Sequence, residues 1–262
     1  MIKLIAIDLD GSLLDDNKNL PADFWKIADQ LFEKNIHLVI ASGRPFHNVG
    51  AVFEPIKDKI YFACDNGSYV FHNNEEILIT PLDKTDVEHF VTISRSVKNA
   101  YPVLCGKDLA YIENMEPEFK QQALKYYQHF EVVDDLAKVD DLVLKISLCD
   151  LEGSEQNSYP FYKQFETGYN VAVAGEIWLD ITSKKANKGT AIEAIQNRLN
   201  ISPAETLVFG DFLNDLAMIQ NAGFSYAMKN AHPDIINAAK YITELDNNHG
   251  GVTHTIKQLL NL

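Results

Sequence analysis

The stretch that most constrains this chain is IAIDLDGSLL, residues 5–14. Residues 2–8, IKLIAID, are a nearly continuous apolar run, which reads as a strand buried on both faces of a sheet. The run ends at Asp8, and Asp10 follows two positions later, so both side chains can leave the strand end on the same side. Two negative charges about 4 Å apart repel by roughly 4 kcal/mol at an effective dielectric near 20. A buried strand that finishes in this way needs something cationic to offset the repulsion.

The surrounding pattern supplies the fold. In 21-PADFWKIADQLFEKN-35, Phe24, Ile27, Ala28, Leu31 and Phe32 repeat at helical spacing, and Pro21 sits near the start. The HLVIAS segment from His37 is a second buried strand, which makes a parallel βαβ unit. The same grammar returns late in the chain: a helix over about 188–199, a strand at 206–210 and a helix beginning near Asn214. A short FSYAM strand, a helix opened by Pro233, YIT and a final helix from about Val252 follow. Both ends therefore belong to one α/β core, a doubly wound parallel sheet of Rossmann-like type.

The middle differs. The pattern predicts a helix carrying Val87, Phe90, Val91 and Val97, strands near 101–105 and 109–113, and a helix around 116–130. A strand at LVLKISL, a helix near 158–167 and strands at 170–174 and 177–182 complete it. That order suits an α+β domain over 84–183 inserted into a core formed by 1–83 and 184–262, with PLDKTD and TSKKANKG as linkers.

Composition narrows the partners. A net charge of −14 disfavours nucleic acid, which is held by clustered Lys and Arg. An anionic small substrate would need a local cationic pocket. No apolar run approaches the ~20 residues of a membrane helix, and Asp8 and Asp10 interrupt the first apolar stretch too early for a signal peptide. A cytoplasmic protein without a membrane partner is expected. Cys64, Cys105 and Cys149 lack metal-type spacing and read as reduced core thiols.

Ligands of parallel α/β sheets bind beyond the carboxyl ends of the strands. The second strand ends in Ala41-Ser42-Gly43-Arg44, and a later one in 210-GDFLND-215, which adds Asp211 and Asp215 to the rim. Taken singly, each group reads as turn or capping chemistry. Their convergence at successive strand ends points instead to a hard divalent cation held by oxygens, Mg²⁺ foremost. Lys188, which Asn187 caps, faces the positive end of its own helix dipole at a cost of roughly 0.3–1 kcal/mol. Lys184 and Lys185 are nearby rivals, but a fixed cation beside carboxylates and a metal is what a transferring phosphoryl group needs.

DLDGSLL, ASGR, NKG and GDFLND, in that order, resemble the four signature motifs of the haloacid dehalogenase-like superfamily. The insert between the second and third is similar to the α+β cap of its Cof-type sugar-phosphate phosphatases. The resemblance implies that Asp8 is a nucleophile forming an aspartyl-phosphate and that Asp10 protonates the leaving alcohol, then activates water. It implies that Ser42 and the Gly43 backbone hold phosphate, with Asn214 touching it. Lys188 would stabilise the phosphoryl oxygens, and Asp215 would orient Lys188 or metal-bound water. Asp8, Asp211 and the Asp10 carbonyl would bind Mg²⁺, and the cap would select the leaving group. Arg44 either grips that group or pairs with a surface acid. Asn66-Gly67 resembles a loop that approaches the site but reads first as a plain Asn-Gly turn. Lys145 matches a common lysine of the family with no contact assigned. Departures are Ser12 for the usual threonine, Phe212 for a small or amide residue, and NNHGGV without an acid before Gly-Val; His249 and His254 receive no role.

The expected activity is Mg²⁺-dependent hydrolysis of a small phosphorylated metabolite, foremost a sugar phosphate. The alternatives are a phosphotransferase or mutase using the same aspartyl-phosphate, or a binding protein that has lost catalysis. A dehalogenase leaves Asp10 and Asp211 unexplained. A dinucleotide-binding site lacks its Gly-x-Gly-x-x-Gly turn.

Overall fold

The computed structural model describes residues 1–127 and 130–262. The chain divides into two compact units, Met1–Leu78 with Asn187–Leu262, and Ile79–Ala186.

The first unit opens with β1 (Leu4–Asp8), α1 (Phe24–Glu33) and β2 (His37–Ala41). All five residues of β1 are buried, as its unbroken apolar run requires of a strand covered on both faces. Phe24, Ile27, Ala28 and Leu31 are the buried stripe of α1; each large apolar side chain so buried contributes about 1.5–3 kcal/mol. Next come α2 (Phe46–Val52), β3 (Tyr61–Cys64), β4 (Tyr69–His72) and β5 (Glu75–Ile79), none of which the sequence pattern had identified. After the insert the unit resumes with α6 (Lys188–Leu199), β12 (Thr206–Gly210), α7 (Leu216–Asn221) and β13 (Phe224–Ala227). It closes with α8 (Pro233–Ala238), β14 (Tyr241–Ile242) and α9 (Gly251–Leu260).

The sheet order is β14-β13-β12-β1-β2-β3-β4-β5, parallel from β14 to β3 and turning antiparallel between β3 and β4. The central strand β1 is flanked by the early strand β2 and the late strand β12, so the order reverses there. Its register pairs Asp8 with Ala41 and Ile7 with Phe209. The carboxyl ends of three strands thus lie side by side at a topological switch point.

The second unit carries α3 (Lys84–Ser94), β6 (Ala100–Gly106), β7 (Ala110–Ile112), α4 (Pro117–Tyr126) and β8 (Phe130–Val132). It continues with β9 (Val143–Asp150), α5 (Tyr159–Tyr162), β10 (Tyr169–Val173) and β11 (Trp178–Ser183). Its six-stranded sheet runs β10-β11-β9-β6-β7-β8, antiparallel except for the parallel pair β7–β8. Val97 is buried beyond the end of α3 rather than within it. The helix expected over 116–130 ends at Tyr126, and the strand β8 was not anticipated; Gln128 and His129 lie outside the described residues. Lys145 pairs with Asp180 at 3.1 Å inside this unit. No described helix is long and apolar enough to cross a membrane.

Candidate active site

Asp8 is the last residue of β1 and Lys188 the first of α6, 180 positions apart in the chain. The Lys188 ammonium lies 2.5 Å from Asp8 Oδ1 and 2.5 Å from Asp215 Oδ1, fully buried. Asn187 accepts from the Thr190 N–H at 2.9 Å while the Asn187 N–H donates to Thr190 Oγ1 at 3.3 Å. This capping box fixes the first turn of the helix and therefore the root of Lys188. Lys184, the first rival, donates to the Glu166 carbonyl from an exposed position.

Asp215 Oδ2 accepts the main-chain N–H groups of Asp211 at 2.9 Å and Phe212 at 3.2 Å, which folds the GDFLND loop back on itself. Ser12 Oγ donates to Asp211 Oδ1 at 3.2 Å, so the hydroxyl that replaces threonine keeps a partner. Gly11, at φ +83°, lies against Asp211: a Cβ there would sit 2.4 Å from Asp211 Oδ2. Only glycine allows the first loop to approach the third carboxylate so closely.

Asp8, Asp211 and Asp215 offer oxygens within 4.8 Å of one another. With one lysine among three carboxylates the cluster is overcharged, and burial compounds this. Burial first, and then Asp215, push Asp8 well above the usual carboxylate range, although Lys188 pulls it down. Burial and Asp215 push Asp211 up to about 6. Burial alone would lower Lys188, but Asp215 and Asp8 outweigh it and hold the ammonium charged. Asp8 Oδ2 is buried and receives no hydrogen bond from the described residues. Asp215 has both oxygens engaged, so Asp8 Oδ2 and the Asp211 carboxylate are the acceptors left facing the cluster. An all-oxygen, doubly anionic set of this kind fits Mg²⁺.

The Asp10 carboxylate lies outside this cluster. Arg44 Nε and Nη2 donate to it at 2.7 and 2.5 Å, and Lys18 Nζ at 2.9 Å. Burial raises its pKa, but these hydrogen bonds prevail and hold it below the ordinary value. Of the two options for Arg44, the acid partner is therefore Asp10 itself.

Ser42 is buried, donates its N–H to Ala63 O at 2.8 Å, and accepts from the Arg44 N–H at 3.1 Å. Asn66 adopts φ 55° and accepts at Oδ1 from Asn214 Nδ2 at 3.0 Å; its own N–H donates to Ser42 O at 3.0 Å. The DNG segment is thus stitched to both the SGR and GDFLND loops. Gly67, at φ +91°, leaves room for the Asn187 carbonyl, which a Cβ would meet at 2.3 Å. Lys18 and Asn66 are the residues that sequence reasoning missed or left open. Three consecutive positive φ values at Asp65, Asn66 and Gly67 are the local trace of the second; nothing in the sequence marked Lys18. Phe212 is half exposed, edge-on to His232 at 5.7 Å. His249 pairs with Asp246 and His254 with Glu244, both on the surface.

A family described as haloacid dehalogenase-like hydrolase matches residues 5–256. The 5-amino-6-(5-phospho-D-ribitylamino)uracil phosphatase YbjI of Escherichia coli is 30% identical over 273 residues, covering 99% of this chain and 96% of that protein. Phosphatase YwpJ of Bacillus subtilis is 27% identical over 290 residues, covering 99% and 100%. A solved structure from Eubacterium rectale is similar with a TM-score of 0.89 at 30% identity, covering 98% of this chain and 99% of that one.

Proposed function

The chain belongs to the haloacid dehalogenase-like hydrolase family and is a phosphatase of small phosphorylated metabolites; from that premise we propose that it is Mg²⁺-dependent, works through an aspartyl-phosphate on Asp8 and takes sugar or polyol phosphates. The observation that carries this reading is the asymmetry of Asp8. Its Oδ1 is held by Lys188 at 2.5 Å, while Oδ2 is buried without a donor among the described residues. One oxygen is anchored and the other is left open.

In the first step the Asp8 carboxylate attacks phosphorus in line with the ester bond. That bond breaks, its electron pair goes to the departing oxygen, and Asp10 supplies the proton. In the second step water gives a proton to Asp10 and attacks phosphorus; the bond to Asp8 breaks and inorganic phosphate leaves. Lys188 balances the charge spread over the phosphoryl oxygens, and Asp215 aims it. Ser42 Oγ, the Gly43 N–H and Asn214 Nδ2 hold those oxygens, with Asn66 fixing Asn214. Asp8, Asp211 and the main-chain carbonyl of Asp10 would hold Mg²⁺, which when bound offsets the repulsion between phosphate and the carboxylate that attacks it.

Part of substrate selection is assigned to the inserted unit. The sugar or polyol class is favoured because the Escherichia coli relative is named for a substrate with its phosphate on a D-ribityl chain. The test is phosphate release from a panel of phosphorylated metabolites and an aryl phosphate, with and without Mg²⁺, for the wild type and Asp8→Asn. Mg²⁺-dependent turnover that disappears in the folded variant is expected. Retained turnover in Asp8→Asn overturns the nucleophile, indifference to Mg²⁺ and chelator overturns the metal, and a panel led by esters other than sugar, sugar-acid or polyol phosphates overturns the substrate class.

A further inference from the structure

Asp10 is gripped by cations that take no part in the Asp8–Lys188–Asp215 cluster. Arg44 holds it as a fork at 2.7 and 2.5 Å, and Lys18 adds a third donor at 2.9 Å. Both cations come from pinned backbone. The Arg44 N–H donates to Ser42 Oγ at 3.1 Å and its carbonyl accepts from the Asp65 N–H at 3.1 Å. Lys18 sits at φ 67° in a turn closed by its N–H on Asp15 O at 2.9 Å. Each is partly open to solvent, at 29% and 57% of its side-chain surface.

In this arrangement both oxygens of Asp10 accept from N–H groups. A residue that must hand a proton to a departing oxygen has to turn away from these donors first. Turning away leaves a planar guanidinium and an ammonium without their counter-charge, in a chain of net charge −14. A neutral hydroxyl is a poor replacement for a carboxylate in a charge-assisted fork, whereas a second oxyanion matches it in charge and shape.

We infer that Arg44 and Lys18 form a subsite for a second oxyanion, a carboxylate, on the leaving portion of the substrate, which takes the place of Asp10 and releases it toward the ester oxygen. The inference deepens the proposed function and rests on its reading of Asp10 as the proton donor. It makes Arg44 a specificity residue, and it explains why a cation pair stands beside a carboxylate the reaction needs free.

The experiment compares a phosphorylated aldonic acid with the sugar phosphate of the same chain length, both esterified at the terminal primary carbon. The ratio of their kcat/KM values is measured for the wild type, Arg44→Met, Arg44→Lys and Lys18→Met. The wild type is expected to favour the acid by about tenfold or more. The ratio falls toward one in Arg44→Met, and part of it returns in Arg44→Lys. Lys18→Met, a change at an exposed side chain, reads the same subsite if Arg44→Met does not fold. A structural role alone lowers both substrates together and leaves the ratio standing. A wild-type ratio of one or less, or a ratio preserved in Arg44→Met, overturns the subsite. Asp10→Asn, assayed for release of the alcohol or phenol in a single turnover of the sugar phosphate and of an aryl phosphate, separates the two readings, because the water step that Asp10 also serves comes after that release. A loss confined to the sugar phosphate sustains Asp10 as donor, so that a preserved ratio then overturns the subsite alone; an equal loss on both overturns the premise.

Discussion

Replacing Asp8 by Asn should abolish turnover and, in the presence of chelator, make the protein more stable. Burial is the main reason that Asp8 is held above the ordinary carboxylate range, with Asp215 next and Lys188 opposing. An acid whose folded pKa is raised costs stability once the pH passes its unfolded value near 4, so the cost is present at neutral pH. Asn keeps the shape, and its Oδ1 still accepts from Lys188. What is lost is charge assistance in one hydrogen bond, about 1 kcal/mol. What is relieved is an unsatisfied buried oxygen, about 1–3 kcal/mol, together with repulsion from two carboxylates within 4.8 Å. That repulsion is about 3 kcal/mol per pair at an effective dielectric near 20 when both members are ionised. Asp211, pushed to about 6, and the Lys188 charge reduce it. The net expectation is about 2 kcal/mol in favour of the variant, or roughly 4–8 °C in melting temperature. Thermal denaturation in chelator reads this directly. Excess Mg²⁺ should reverse the order, because a ligand stabilises the folded state in which its site is complete. A variant that melts below the wild type in chelator would show that the Asp8–Lys188 pair outweighs the crowding of charge, and the reasoning would fail.

Asp211→Asn should weaken Mg²⁺ binding about tenfold or more by calorimetry; unchanged affinity would remove Asp211 from the ligand set. Gly67→Ala should cost about 3 kcal/mol or more, combining left-handed strain with overlap at the Asn187 carbonyl 2.3 Å away. Gly153→Ala, at φ +104° with nothing within 4 Å, should cost only the backbone part, about 1–2 kcal/mol, so equal melting shifts would contradict the overlap. Arg95 holds Glu113 below its ordinary value and Asp135 at about 2. Depressed acids contribute stability above their unfolded pKa and lose it as the pH falls, so the wild type should lose stability between about pH 4 and 2. Arg95→Met should flatten that acid limb in a pH series of melts, and an unchanged slope would dismiss the network as a contributor.

The long apolar segments were legible because burial on both faces leaves little choice of residue. The central strand β1, its neighbour β2 and the late strand β12 all announce themselves in this way, and α1 by its stripe. The segment from Phe46 to Ile79 did not, since β4 and β5 are short, partly exposed strands, EEILI among them, whose polar positions break any period. The three-residue strand β8 has the same excuse. Within the candidate site, Lys188 was conspicuous as a cation at the wrong end of a helix dipole, and the structure gives it two carboxylates as the compensation. The grip of Arg44 and Lys18 on Asp10 was not legible. It joins the loops that follow β1 and β2, whose separation is set by the pairing of those strands, and no local spacing encodes it. The tie between Asn66 and Asn214 spans 148 positions and was hidden for the same reason.

The return of the chain at Asn187 has a consequence for what this architecture can become. The reciprocal bonds of Asn187 and Thr190, and the bare α-carbon of Gly67 against the Asn187 carbonyl, are all internal to the unit that holds Lys188. Nothing in that joint asks what sequence precedes it. A different segment ending there would meet the same reciprocal bonds and the same close approach. The root of Lys188 is in this sense fixed by its own unit, and an insert rewritten around a new leaving group would return to the same anchored start of the helix.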